Sequence, residues 1–245
     1  MLSRVILLST LCLVTLLSPP LNGETYPSAP EQRMLSLQGT RNTRELGGLP
    51  VRGGVFAKGK VYRSGALCFA SKADAEKFHK IGLKTIIELR LDNEIAKDGP
   101  DKVYLTDKVP HLFHWPMAGS KGPGLPAYQT YMAENGKLFR DFFSVLAKKD
   151  NLPLLFHCSA GKDRTGILTA LLLELMGTPR NVITDDYLHS MRITPKLKVE
   201  RAWIDAVYAA IDADGGIEPF LKKRGVSEQQ ISAVRSNLTT ASSKP

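Results

Sequence analysis

His157-Cys158-Ser159-Ala160-Gly161-Lys162-Asp163-Arg164-Thr165-Gly166 is the stretch on which the reading of this chain turns. Just before it, Pro153-Leu154-Leu155-Phe156 is a short apolar run of the kind found in buried central strands. Just after it, Gly166 to Met176 is apolar on nearly every face. Its length of 11 residues suits a buried core helix, because a membrane span needs about 20. The stretch is therefore a loop between a buried strand and a buried helix. Five residues separate Cys158 from Arg164. A loop of that length can curl so that its backbone N–H groups converge on one centre, and such a nest at a helix N-terminus is an anion cradle. The phosphate contacts expected there are Ser159, Ala160, Gly161, Lys162, Asp163 and Arg164, with Arg164 supplying a planar fork for two oxygens. Gly161 allows the tight curl, and Gly166 allows the helix to approach the sheet closely.

The same field acts on Cys158. Oriented N–H dipoles and the charges of Lys162 and Arg164 favour its thiolate; thiols so placed titrate at roughly 3.5–7.5 rather than ~8.5. A thiolate at the floor of a phosphate cradle is set for in-line attack on phosphorus, giving a cysteinyl-phosphate that water later hydrolyses. Thr165 can donate its hydroxyl to the thiolate and ease its departure. His157 is expected to brace the loop, since a preformed thiolate needs no base.

Outward from the loop, β-type runs recur at Val61-Tyr62-Arg63, Lys84 to Arg90 and Leu112 to Trp115. Ser71 can cap a helix running to about Ile81, with Asp74 in its first turn. Ala127 to Lys149 is helical in pattern, with an interruption at Asn135-Gly136. Val199, Trp203, Ala206, Val207, Ala210 and Ile211 form one stripe at helical spacing, which reads as core. Ser227 to Gln230 reads as a capping box, with Ile231, Val234 and Leu238 as the buried face. Strands alternate with helices first, and helices then dominate. The predicted class is α/β, with a mainly parallel central sheet flanked by helices and a helical C-terminal layer.

The loop resembles the signature of the protein tyrosine phosphatase superfamily. More narrowly, the chain is similar to bacterial tyrosine/lipid phosphatases whose loop reads His-Cys-x-x-Gly-Lys-Asp-Arg-Thr-Gly, and all eight fixed positions match. Asn42-Thr43-Arg44-Glu45-Leu46-Gly47-Gly48 resembles that family's Asn-x-Arg-Asp-Leu-Gly-Gly segment, with Glu45 in place of Asp. Tyr62-Arg63-Ser64-Gly65-Ala66-Leu67, Ile87-Glu88-Leu89-Arg90 with Glu94 and Pro100-Asp101, Asp186-Tyr187-Leu188, and Arg224-Gly225-Val226-Ser227 resemble further marks of it. The resemblance spans about Gln38 to Leu238. It implies a phosphotyrosine protein phosphatase-like fold and hydrolysis of phosphotyrosine, with phosphoserine/threonine and phosphoinositides as further substrates.

A general acid must protonate the leaving oxygen. Many tyrosine phosphatases carry it in a Trp-Pro-Asp loop, but here Trp115-Pro116 is followed by Met117, which transfers no proton. Asp163 lies inside the cradle and is the first candidate. Asp92 follows the strand ending at Arg90 and is the second, because sites on parallel sheets sit at strand C-termini; Asp98 and Asp101 stand behind them. The competing roles are a salt bridge to Lys162 or Arg164 for Asp163, and a helix cap for Asp92. Lys162 either stabilises the thiolate or meets a second phosphate. Arg44 and Arg63 either line the cleft or form structural ion pairs.

The whole chain carries 33 basic and 24 acidic residues, a formal charge of +9. Residues 1–23 have the layout of a cleaved secretory signal: Arg4, an almost wholly apolar Val5 to Leu17, and a turn-forming end near Gly23. Cleavage there leaves +8 and a secreted or periplasmic protein. Residues 24–37 read as a tether, 38–240 as one phosphatase domain, and 241–245 as a tail. Cys68 and Cys158 then remain; pairing between them would shield Cys158 from over-oxidation, and a packed Cys68 is the simpler reading. Metal is not required, and His79, His111, His114, His157 and His189 show no zinc-ligand spacing. No cofactor is expected. The expected partners are a phosphoprotein or phosphoinositide substrate with transient contact at a membrane surface; no motif supports nucleic-acid binding. Three alternatives stand: an inositol-polyphosphate phosphatase, a module that binds phospho-ligands without turnover, and a sulfurtransferase, whose loop can also begin with Cys but which the Arg164-Thr165-Gly166 continuation fits less well.

Overall fold

Short apolar runs that are buried on both faces belong in the middle of a parallel sheet, and the chain has two of them. A computed structural model, which describes residues 30–119, 124–193 and 198–241, places both at the centre. In chain order the elements are β1 (Arg44–Glu45), β2 (Pro50–Val51), β3 (Gly54–Phe56), β4 (Val61–Ser64), α1 (Lys72–Ile81), β5 (Thr85–Glu88), α2 (Asp92–Asp98), α3 (Val103–Thr106), β6 (His111–His114), α4 (Leu125–Glu134), α5 (Gly136–Leu146), β7 (Leu154–His157), α6 (Asp163–Met176), α7 (Arg180–Ile193), α8 (Arg201–Ala213), α9 (Ile217–Lys223), α10 (Glu228–Leu238) and β8 (Thr239–Thr240).

The main sheet runs β1-β4-β7-β5-β6, with β4, β7, β5 and β6 parallel and β1 antiparallel at one edge. Every residue of β4, β5 and β7 is buried. The α/β class with a mainly parallel sheet therefore holds. Register is what makes the site: Ser64, His157 and Glu88 lie side by side at the C-terminal ends of three adjacent strands. The loops that follow those strands open at one edge of the sheet. A second sheet, β2-β3-β8, ties the C-terminal strand back to the start of the domain.

Helix α6 is buried along nearly its whole length, as its unbroken apolarity requires. It packs beneath the sheet together with α5 and the C-terminal helices, around Phe139, Phe142, Phe143, Phe156 and Trp203. Phe78, Ile86 and Leu155 anchor a second core on the other face. Ser71 and Ser227 both form reciprocal capping boxes, and a break at Asn135 separates α4 from α5. Among the described residues, no helix is long and apolar enough to cross a membrane.

Four expectations change. The stretch 30–37 is docked rather than a free tether. Pro30–Arg33 forms a 3-10 turn, Arg33 is buried against Asp186, and Leu35 and Leu37 pack on the second core. A buried ion pair and apolar contacts hold this stretch to the domain in spite of Pro30. Helix α6 starts at Asp163 rather than Gly166, so Asp163 and Arg164 belong to its first turn. The run read as Leu112–Trp115 is an edge strand, His111–His114, largely exposed. Val199 precedes α8 and packs on the core without belonging to that helix. The signal expected in residues 1–23, the first part of the expected tether, 24–29, and the tail beyond 241 lie outside the described residues.

Candidate active site

Strand β7 delivers the loop and α6 receives it. In between, Gly161 adopts φ +66°, and a Cβ there would lie 2.6 Å from the Gly65 nitrogen and the Ser64 carbonyl. Only glycine fits that backbone and that space. The first N–H groups of any α-helix lack intrahelical acceptors. Among the described residues, the N–H groups of Ser159 through Arg164 find no backbone acceptor, so the nest is open for an anion.

Cys158 is 2% exposed at the base of this nest. Burial alone raises its thiol. The Arg164 guanidinium, the Thr165 hydroxyl at 3.2 Å from Sγ and the Thr165 backbone N–H outweigh burial, and the thiol is lowered. Arg164 is aimed by Glu94: Nη1 and Nη2 reach its two oxygens at 2.5 and 2.7 Å, and Nη1 also donates to the Leu89 carbonyl. Glu94 in turn accepts from the Leu91 N–H and from Ser159 Oγ at 2.6 Å. Burial opposes its ionisation, but Arg164 first and then these donors bring the carboxyl down to about 2. The guanidinium is therefore held on a fixed carboxylate while Cys158 lies beneath it.

Two ionic clusters brace the loop. On one side Asn42, at φ +59° in the left-handed region that Asn tolerates, donates to the Gly161 carbonyl at 2.8 Å. Arg63 Nη2 donates to the same oxygen at 2.9 Å. Asp186 anchors Arg63, Arg44 and Arg33 at 2.6–3.0 Å, and all four side chains are buried. Burial works against the Asp186 carboxylate, yet the three guanidinium groups hold it well below its usual range. Arg44 and Arg63 are thus structural ion-pair residues. On the other side His157 Nε2 lies 2.9 Å from Asp101 and Nδ1 3.5 Å from Glu88, while Arg90 bridges both carboxylates. Burial lowers His157, but Asp101 and Glu88 prevail and push it up to about 9, so the ring is cationic and braces the loop. Glu88, Asp101 and His157 lie close enough to hold a metal ion, but Arg90 and the charged ring already take that place.

The acid candidates separate clearly. Asp163 stands at the start of α6; its Oδ1 accepts from Tyr128 at 2.8 Å and its Oδ2 lies 3.4 Å from Lys162 Nζ. Asp92 is 90% exposed at the first position of α2, where its ion-pair partner is His114 at 3.9 Å. The cap of α2 is Leu91, so Asp92 is not the helix cap either. Asp101 is engaged with His157 and Arg90. Lys162 turns its ammonium to the Lys198 carbonyl at 2.8 Å and to the face of Trp203 at 5.3 Å, leaving its N–H to the nest. Trp203 is core, as its spacing indicates, and also caps a cation. Met117 is fully buried and Trp115 stacks on Phe113, so the Trp-Pro segment is packing. Cys68 and Cys158 are both free buried thiols, and Cys68 Sγ accepts from Arg90 Nη1 at 3.3 Å.

In the sequence alone Glu94 stands only as a family mark and Tyr128 carries no role. Glu94 had a local signal: it is the third helical residue after Leu91, the place from which a glutamate folds back on a helix N-terminus. Tyr131, close to Tyr128 on α4, lies within electrostatic reach of Arg164, Asp163, Cys158 and Glu94, with Gly119 packed on its ring.

The sequence model described as "Tyrosine phosphatase family" matches residues 35–240. A tyrosine-protein phosphatase of Nostoc commune is 30% identical over 209 residues, covering 69% of this chain and 70% of that protein. The triple specificity protein phosphatase PtpB of Mycobacterium tuberculosis is 28% identical over 178 residues, covering 57% of this chain and 64% of that protein. Among solved structures, the core catalytic domain of the PP-IP phosphatase SIW14 from S. cerevisiae aligns at a TM-score of 0.48 and 19% identity, over 79% of this chain and 98% of that one.

Proposed function

This chain belongs to the tyrosine phosphatase family and is a phosphatase, and from that premise we propose that it hydrolyses phosphotyrosine through a cysteinyl-phosphate on Cys158, with phosphoserine/threonine and phosphoinositides as further substrates. The observation that carries the reading is the buried Cys158 thiol, lowered by Arg164 and Thr165, at the base of an open N–H nest and beneath an Arg164 fixed by Glu94.

Bound phosphate would meet the N–H groups of Ser159 through Arg164 and the Arg164 fork, which neutralise charge on its non-bridging oxygens. The Cys158 sulfur then attacks phosphorus; an S–P bond forms and the P–O bond to the leaving group breaks. Asp163 gives its proton to the leaving oxygen. In the second step Asp163 takes a proton from water, the water oxygen bonds to phosphorus and the S–P bond breaks. The Thr165 hydroxyl at 3.2 Å receives the returning thiolate. Asp163 is preferred to Asp92 as the acid because Asp92 points to solvent at His114.

The name of the Mycobacterium tuberculosis relative supports breadth beyond phosphotyrosine. Lys162, occupied by Trp203 and the Lys198 carbonyl, lends little to a second phosphate, so the inositol-polyphosphate alternative is not preferred. Export through residues 1–23 belongs to the same proposal, and N-terminal sequencing of exported protein tests it; a start at Met1 refutes it.

The decisive test is a panel of phosphotyrosine peptide, phosphoserine peptide, phosphoinositide vesicles and inositol hexakisphosphate, run in chelator. Wild type should release phosphate from the phosphotyrosine peptide. Cys158→Ser should lose at least about a thousandfold in kcat. Retention of turnover by Cys158→Ser, or hydrolysis of no member by wild type, sinks the proposal.

A further inference from the structure

Tyr128 is sealed inside the protein, 1% exposed, and its ring is boxed by other aromatics. Tyr131 meets it edge-on at 6.3 Å, Tyr187 edge-on at 6.2 Å, and Trp203 at 6.0 Å. A ring so enclosed has one polar atom to satisfy, and a buried hydroxyl without a partner is costly. That atom bonds twice, at 2.8 Å to Asp163 Oδ1 and at 2.8 Å to the Tyr187 hydroxyl. A phenol carries a single proton. Its bond to the Asp163 carboxylate uses that proton, so Tyr187 must donate to Tyr128. The order is therefore Tyr187 to Tyr128 to Asp163, a directed chain from the core to the active-site loop. Tyr187 is seated for this by Gly166: a Cβ there would lie 3.0 Å from the Tyr187 ring.

We propose that Tyr128 is a positioning residue for the general acid, selecting which Asp163 oxygen carries the transferred proton; this rests on the assignment of Asp163 made above. With Oδ1 accepting from Tyr128, Oδ2 is the oxygen left to carry the proton, because Lys162 Nζ, 3.4 Å from it, gives its hydrogen bond to the Lys198 carbonyl at 2.8 Å. The charged and titratable groups around this carboxylate are Lys162, Arg164 and Cys158 from the loop and α6, Tyr128 and Tyr131 from α4, and Tyr187 from α7 with Glu200 beyond it. Lys162 faces Oδ2 at 3.4 Å and Tyr128 faces Oδ1 at 2.8 Å, so the two oxygens are chemically distinct before substrate arrives. Burial first, and the Asp163 charge second, hold the Tyr128 phenol in its neutral, donating form.

The test measures kcat and kcat/KM against pH for wild type, Tyr128→Phe, Asp163→Asn and the double variant. Each is run on a phosphoserine peptide, whose leaving alkoxide needs a proton, and on 4-nitrophenyl phosphate, whose leaving group needs little help. A donor to a carboxylate favours its ionised form, so Tyr128→Phe should move the alkaline limb to higher pH by about one unit. It should lower kcat about tenfold on the phosphoserine peptide and less than about twofold on the nitrophenyl ester. Tyr128→Phe should add nothing once Asp163→Asn is present. Equal losses on both substrates with an unmoved limb, or an additive loss in the double variant, overturn the inference. If Asp163→Asn leaves the limb intact, the acid assignment fails and the inference falls with it; if Asp163→Asn abolishes the limb while Tyr128→Phe leaves it unmoved, the inference alone fails. Should Tyr128→Phe lose its native circular dichroism, Tyr187→Phe replaces it. That variant removes the upstream donor and should shift the limb in the same direction by less; an unmoved limb overturns the inference.

Discussion

The two ionic clusters that brace the loop are built on opposite charge balances. Beneath Gly161 a single carboxylate, Asp186, holds three guanidinium groups, and burial with the neighbouring Arg44 pulls Arg63 down to about 9 in spite of Asp186. Beside Cys158, Glu88 and Asp101 match Arg90 and the cationic His157. The first cluster leaves a positive excess under a loop whose task is to hold an anion. The second is neutral and fixes the end of β7. A buried cluster with one anion has no reserve, whereas one with two can lose a member and keep its cations partly matched.

That contrast is broken most directly at Asp186. Asp186→Ala leaves three buried guanidinium groups without their shared carboxylate and should cost about 3–5 kcal/mol. A urea midpoint corresponding to less than about 1 kcal/mol of loss would show that the excess is tolerated. The neutral cluster is probed next, by pH. The ring of His157 titrates near 6.5 when free and is raised to about 9 in the fold. A raised cation stabilises fully below the unfolded value, and the contribution disappears as pH climbs through the folded one. The urea midpoint of wild type should therefore fall between about pH 6.5 and 9, by on the order of 3 kcal/mol, and His157→Gln should flatten that fall. Equal slopes in the two proteins would remove His157 from the brace.

Glu94 sharpens the comparison, because it holds a guanidinium at the mouth of the site rather than beneath it. Glu94→Gln should leave the urea midpoint within about 1 kcal/mol of wild type, since the pair is partly solvated. It should lower kcat about 10–100-fold, because the Arg164 fork loses its aim. A stability loss as large as that of Asp186→Ala would mean the two pairs do the same work. The smallest effect belongs to Asp92→Asn, expected within about 0.5 kcal/mol in stability, as for ordinary surface changes, and unaltered in its pH–rate profile. A flattened profile would return Asp92 to the chemistry.

Particular residues show how far the sequence reaches. The cradle was legible because its geometry is local: Cys158, Gly161, Arg164 and Thr165 lie within one turn and one strand end, and nothing distant has to fold for their spacing to mean something. The capping boxes at Ser71 and Ser227 were legible for the same reason. Asp92 and Glu94 were not separable. They stand two positions apart on α2, and only the observed cap at Leu91 turns Glu94 to Arg164 and Asp92 to water. Helices α3, α7 and α9 escape the pattern reading, and α2 enters it only through the cap role considered for Asp92; with no buried residue, α2 has no apolar stripe to find. Arg33 reads as part of a tether in the sequence because the carboxylate that buries it lies 153 residues away.

By itself, the sequence determined the α/β class, the strand–loop–helix frame and the residues of the anion nest, because backbone curl, helix N-termini and apolar periodicity are short-range properties. Tertiary structure alone decided which carboxylate aims Arg164, which guanidinium groups are structural, and that Tyr128 reaches Asp163 across 35 residues. Those are pairings of charges and hydroxyls brought together by the packing of β4, β5, β7, α4 and α7. Coulomb attraction and hydrogen bonding act at a few ångströms, and spacing along the chain carries no record of such distances once the intervening elements have folded.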